Sequence, residues 1–195
     1  MKDTNRSYIG MRQFVVAVSL IIMTVVFFIY RDTECDTSLP GKLERMMNAA
    51  EMDVYRDGFY GYAVRYPSFF EQVPDKNKKG GCKFRYGTMR QIIQTASVAL
   101  NLDSLTVRQG MNCFAAECHA TEWHCGSDYF ILSGPLYVDG KSIKGYRFHA
   151  KYVKRQKLWF VQCLTYPEDY AQAVTRLIKL IDGWQVWEDD GSNQF

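Results

Sequence analysis

The sequence predicts an α+β fold, an antiparallel sheet flanked by helices as an α/β/α sandwich, preceded by one transmembrane helix. Three observations lead there. Residues 14–30 run seventeen positions without a charge. Several later stretches alternate aromatic and polar residues with the period of two that a half-buried strand shows. The last strand-like run, 158–166, is apolar on both faces and leads through Pro167 into an amphipathic helix, so a covered central strand is followed by a covering helix.

The N-terminal run reads FVVAVSLIIMTVVFFIY, interrupted only by Ser19 and Thr24. As a helix it spans ~25 Å, a little short of a ~30 Å hydrocarbon core. Arg12 and Arg31 at its ends reach the interface by snorkelling. It is apolar on every face, which suits lipid better than the interior of a small domain. Lys2, Arg6 and Arg12 precede it against Asp3, while Asp32, Glu34 and Asp36 follow Arg31. The positive-inside rule therefore keeps the tail 1–13 in the cytoplasm and exports the rest. Phe27-Phe28-Ile29-Tyr30 lacks the small residues of a cleavage site, and the charged Asp32-Thr33-Glu34 before Cys35 is no lipobox. The expectation is an uncleaved single-pass anchor at 14–30. The exported part lacks N-x-S/T sequons, which points to a bacterial inner membrane with the domain facing the periplasm.

The net charge of +3 sits almost wholly at this end. Residues 1–31 hold four basic groups and one acidic group, and the remaining 164 carry 20 of each. The exported domain is neutral, so a nucleic-acid surface is excluded and the basic balance is a topology signal.

Along the exported part, residues 31–41 read as a stalk, 42–187 as a globular domain and 188–195 as a flexible tail. Residues 42–53 have helical composition, with Leu43, Met46, Met47 and Ala50 on one side. Residues 60–66 alternate and stop at Pro67. A polar loop at 75–81 carries Lys76, Lys78 and Lys79, and strands follow at 82–86 and 96–102. Residues 103–120 look helical but interrupted by Gly110. A strand at 129–133 ends at Gly134-Pro135. Residues 146–152 put aromatics on one face and Arg147, His149 and Lys151 on the other, which reads as solvent-facing. After Pro167, Tyr170, Val174, Leu177, Ile178 and Ile181 form one stripe and leave Arg176 toward solvent. Trp184 and Trp187 are placed to pack the chain end against the sheet.

Three of these stretches, in order, resemble the PsbP/Mog1-like family of α/β/α sandwich domains. They are the strand Gly61-Tyr62-Ala63-Val64-Arg65-Tyr66-Pro67 with Ser68-Phe69-Phe70, the strand Asp128-Tyr129-Phe130-Ile131-Leu132-Ser133-Gly134, and the run 158–167 with its closing helix. The resemblance covers residues 59–184, and 91–126 departs from the family pattern. It implies a non-catalytic accessory or binding domain that docks on another protein, here an envelope protein. It carries over no binding residues.

Chemistry-bearing residues concentrate in Cys113-x4-Cys118-His119-x4-His124-Cys125. Five such ligands in thirteen residues suit zinc by type, though not by spacing, and they carry the alternative of a metal-dependent or thiol-based enzyme. Outside the cytoplasm disulfides compete for the thiols. Cys35, Cys82, Cys113, Cys118, Cys125 and Cys163 are all candidates, with fifteen possible pairings. No catalytic residue and no cofactor is expected, because no nucleophile elbow, P-loop or dinucleotide fingerprint occurs. Trp123, Tyr137, Tyr146, Phe148 and Tyr152 are the candidate binding surface, since tyrosine and tryptophan are favoured at interfaces.

Overall fold

The apolar run after Lys157 becomes the middle of a sheet. The computed structural model describes residues 39–73 and 80–186. The expected anchor, Cys35, most of the stalk, the lysine loop, Trp187 and the tail lie outside the described residues. The chain divides into two units between Gly41 and Lys42, and every described strand lies in the second.

The elements are α1 (Leu39–Ala49), β1 (Met52–Arg56), β2 (Ala63–Pro67), β3 (Glu71–Gln72), β4 (Gly81–Tyr86), β5 (Ile92–Leu100), α2 (Val107–Glu117), β6 (Glu122–Cys125), β7 (Tyr129–Val138), β8 (Lys141–Arg155), β9 (Leu158–Pro167), a 3-10 turn (Glu168–Tyr170) and α3 (Thr175–Asp182). Among the described residues, β1 and β2 form a hairpin of their own, and the other seven strands form one sheet in the order β3-β4-β5-β9-β8-β7-β6. Every pairing is antiparallel. The fold is therefore α+β, with a seven-stranded antiparallel sheet and three helices.

β9 lies between β5 and β8 and feeds two cores. On one face Phe160, Leu164 and Tyr166 meet Leu43 and Met47 of α1, Val64 of β2, and Val174, Leu177 and Ile181 from the chain end. On the other face Trp159 joins Phe130, Leu132, Phe148 and Ala150 beneath Met111 of α2. The alternation of strand side chains is what lets one strand serve both.

Several boundaries differ from the sequence reading. The first helix stops at Ala49, and Met52–Arg56 is a strand whose Met52 and Tyr55 turn toward the core. The β1–β2 turn is fixed by Asp57, whose carboxylate accepts from Phe59 N and Tyr60 N. β7 runs through Gly134-Pro135 to Val138. Proline supplies no N–H to the ladder, and the register shifts between Pro135 and Tyr137 to accommodate it.

Arg176 does not face open solvent. Its Nη1 donates to the carbonyls of Met47 (2.7 Å), Asn48 (3.1 Å) and Ala50 (2.9 Å). Those are the last carbonyls of α1 and the linker after it, groups a helix leaves unsatisfied and where a cation is favoured. Arg176→Ala should lower stability by ~1.5–3 kcal/mol, the range for charged hydrogen bonds. A thermal melt of the variant indistinguishable from wild type would reject the cap.

Gly110 does not break α2. Thr106 caps the helix, accepting from Gln109 N while the Gln109 side chain accepts from Thr106 N, and the helix passes through Gly110 unbroken. A Cβ at Gly110 would lie 2.6 Å from Trp159 Cζ2, so glycine lets the helix sit on the indole. Gly→Ala in an ordinary helix gains ~0.5–1 kcal/mol, whereas overpacking costs ~1–3. Gly110→Ala should therefore destabilise. Gly58→Ala, with nothing within 4 Å, should be neutral or gain up to ~1 kcal/mol. Denaturant midpoints decide the two signs.

Candidate functional site

The polar groups of the first face converge where α3 ends over β7 and β8. Ser133 and His149 are cross-strand partners, so both project to the same side, while Phe148 and Ala150 project to the other. Ser133 Oγ lies 2.8 Å from His149 Nδ1, and His149 Nε2 lies 2.8 Å from Asp182 Oδ1. Lys151, two residues on, donates to the Asp182 carbonyl at 2.6 Å and sits 4.4 Å over the Tyr129 ring. The expectation of a solvated face at His149 and Lys151 is corrected: they are 8% and 5% exposed. The helix covers them, and each has its hydrogen bonds, which is the condition for burying polar groups.

Burial pushes the Lys151 ammonium below its usual pKa, with Asp182 and Asp128 opposing the shift. Arg147 reaches Glu122 at 2.8 Å and extends the polar row to β6. A cleft of about 390 Å³ opens beside Lys151, bordered by Tyr129, Trp184 and the Arg155–Asp128 ion pair. Hydroxyl, imidazole and carboxylate stand in the order used for base-assisted nucleophilic attack. The cleft, however, is bordered by Lys151 and not by Ser133. As built, the chain pins the end of α3 to two strands.

The thiols are dispersed. The five described cysteines are all free. Cys113 and Cys125 are exposed, Cys118 is half-buried where α2 ends, Cys82 lies in the first core and Cys163 beside the second. Among the described residues no three His, Cys, Asp or Glu side chains gather as a metal site. The alternative set Cys113, Cys118, His119, His124 and Cys125 is divided by strand alternation. On β6 His124 is opposite Ile131 and Cys125 opposite Phe130, so they point to opposite faces. His124 sits near Tyr129 with ring centroids 6.0 Å apart.

His119 has a structural task. With φ of 54° it is the left-handed residue that ends α2, where Ala120 N donates to Ala115 O and His119 N to Ala116 O. Its ring lies 4.4 Å from that of Tyr137. Gly134 fits closely beneath this turn, where a Cβ would meet Thr121 N at 3.1 Å. The Ser-Gly pair in β7 thus joins one residue that bonds the His149 ring held by α3 and one that admits the end of α2.

Of the candidate binding aromatics, Trp123 is 62% exposed, and Tyr137 and Tyr146 are half-buried. Phe148 is a core residue, and Tyr152 is half-buried against the second core. Phe148 is buried, and Tyr152 stacks on Phe114 (5.0 Å) and Phe130 (4.6 Å) under α2. The strand carrying Trp123 is not legible in the sequence. β6 ends the sheet, and all four of its residues are exposed.

No protein-family model matches the chain, and no curated protein matches it in sequence. Among solved structures it is similar to the solution structure of cyanobacterial PsbP (CyanoP) from Synechocystis sp. PCC 6803. The TM-score is 0.52 at 16% identity, covering 71% of this chain and 94% of that one. It also matches PA94, a putative regulator of unknown function from Pseudomonas aeruginosa, with a TM-score of 0.42 at 12% identity over 71% and 98% of the two chains. The fold is PsbP-like.

Cys82 in the first core and the half-buried Cys163 beside the second make a prediction about pH. Desolvation pushes Cys82 up to about 11 and Cys163 up to about 12, from an ordinary 9.0, and Tyr62 and Tyr152 are raised by the same cause. An acid with a raised folded pKa favours the folded state below its unfolded value and loses that contribution as pH climbs through the folded one. Lys151, a lowered base, works in the opposite sense. Urea midpoints under reducing conditions should hold to about pH 9 and fall from there toward pH 12, and Cys163→Ala should make the fall shallower. A midpoint that climbs through this window would contradict the assigned burial.

Proposed function

We propose that this chain is a membrane-tethered accessory protein whose exported domain docks on another envelope protein, in the manner of a PsbP/Mog1-like binding module and not of an enzyme. One observation carries the reading: Trp123 stands 62% exposed on β6, an edge strand of the sheet among the described residues. An edge strand offers unpaired backbone donors and acceptors, which proteins usually blunt unless the edge is used. Tryptophan is the side chain most enriched among residues that dominate binding energy. Strand addition at β6, with Trp123 as its anchor, joins the two. The uncharged run 14–30 and its basic leading flank support a partner in the same membrane or the space outside it.

A photo-crosslinking amino acid at the exposed Thr121 of the full chain, with Trp123 intact, expressed in a bacterial envelope, should yield one discrete adduct. The same probe at Lys144, on an exposed part of β8, should not. Indistinguishable adduct patterns from the two positions would remove the reading. Trp123→Ala should leave the melting temperature within the ~0.5 kcal/mol typical of surface changes, while it abolishes capture from a probe placed at Thr121.

A further inference from the structure

Two of the dispersed thiols share one face of the sheet. Cys118, just past the last residue of α2, and Cys163 of β9 both pack against the second core. Cys82 lies in the core on the opposite face. Cys113 is exposed, and Cys125 borders a cleft with Thr106 and Val107 at the other end of α2.

The path of α2 sets their level along the sheet. The helix passes Trp159 at Gly110, and the chain after it comes down on β7 at Ala120, whose Cα would lie 3.3 Å from a Cβ at Gly134. Gly134 is opposite Phe148, and Phe148 is opposite Thr165. α2 therefore runs the same way as β9, from the level of Trp159 to that of Thr165. Cys118 comes two residues before Ala120 and Cys163 two before Thr165, so the two meet at one level. Alternation keeps Cys163 on the face of Trp159. Ala150 stands on β8 between Leu132 and Cys163, a side chain small enough to leave the way open.

The electrostatics agree. Burial raises the Cys163 pKa first, and Cys118 raises it further. Desolvation likewise raises the Tyr152 hydroxyl, and Cys163 and Cys118 both add to that shift. The two sulfurs thus act on each other's surroundings and on one phenol beneath α2.

We propose that Cys118 and Cys163 form a dithiol that closes into a disulfide and fastens the end of α2 to β9. As the S–S bond forms, the pair gives up two protons and two electrons. An oxidant that is itself a disulfide takes them up, its own S–S bond breaking into two thiols. The closed loop contains β6, β7 and β8, so the bond restricts the unfolded chain and holds the helix end on the second core. The pairing needs the fold alone and not the docking reading.

The test is oxidation of the reduced full chain, in detergent micelles, with oxidised glutathione. Alkylation in denaturant, proteolysis and mass mapping of the cysteine peptides follow. A peptide joining Cys118 to Cys163 should be the main cross-link within a chain. The oxidised chain should melt roughly 5–15 °C above the reduced one, the range for a native disulfide in a domain of this size. That gap should vanish in Cys118→Ser and in Cys163→Ala alike, whatever either substitution does to the reduced protein. Four results would overturn the proposal. They are recovery of both cysteines uncoupled from each other, a different pair as the main cross-link, a cross-linked chain that melts no higher than the reduced one, or a gap that persists in Cys118→Ser.

Discussion

The structure depends on covering both faces of β9. Its neighbours satisfy its backbone on either side, and its alternating side chains leave Trp159 in one core and Phe160, Leu164 and Tyr166 in the other. Neither cover is dispensable, because burying one aromatic of this size contributes several kcal/mol against a net stability of ~5–15. On the Trp159 face, among the described residues, α2 supplies the helical cover, and it approaches closely enough only because position 110 has no side chain. On the opposite face α1, the hairpin and α3 share the work, and Arg176 ties α3 back to the end of α1.

Much of this was legible in the sequence, for a physical reason in each case. β9 reads as a central strand because a strand covered on both sides is continuously apolar. The stripe from Tyr170 to Ile181 reads as a covered face because its period matches a helix, and Tyr170, Val174, Leu177 and Ile181 are buried as the pattern requires. Failures came where a local rule was overridden by packing. Gly110 looked like a break because glycine is a poor helix former, but its helix packs so closely on Trp159 that a side chain there would collide. The Thr106 and Gln109 capping box was present in the sequence and would have placed the start of that helix.

The polar first face defeats the pattern for a subtler reason. A strand alternating aromatic and charged residues ordinarily has a dry face and a wet one. Here both faces of β8 are covered from Phe148 to Lys151, and the charged row survives burial because His149 and Lys151 are bonded to Asp182 at the end of α3 and Arg147 to Glu122. Ser133, His149 and Asp182 are far apart in sequence, and no local pattern announces that they meet. Trp123 is the opposite case: its residue type suggests a surface role, but the edge strand that displays it is too short for its alternation to be read. The cysteine cluster is compact in sequence and dispersed in space, since adjacent strand residues face opposite ways.

If β9 is the protected middle of the sheet and β6 its open edge, native-state hydrogen exchange on the full chain will separate them. Amides within Leu158–Pro167 should exchange only through global unfolding, with a free energy matching that from denaturant melts. Those of β6 on its outer side should exchange far faster, without waiting for that event. Comparable protection of β6 and β9, or exchange of β9 through local opening, would contradict this arrangement.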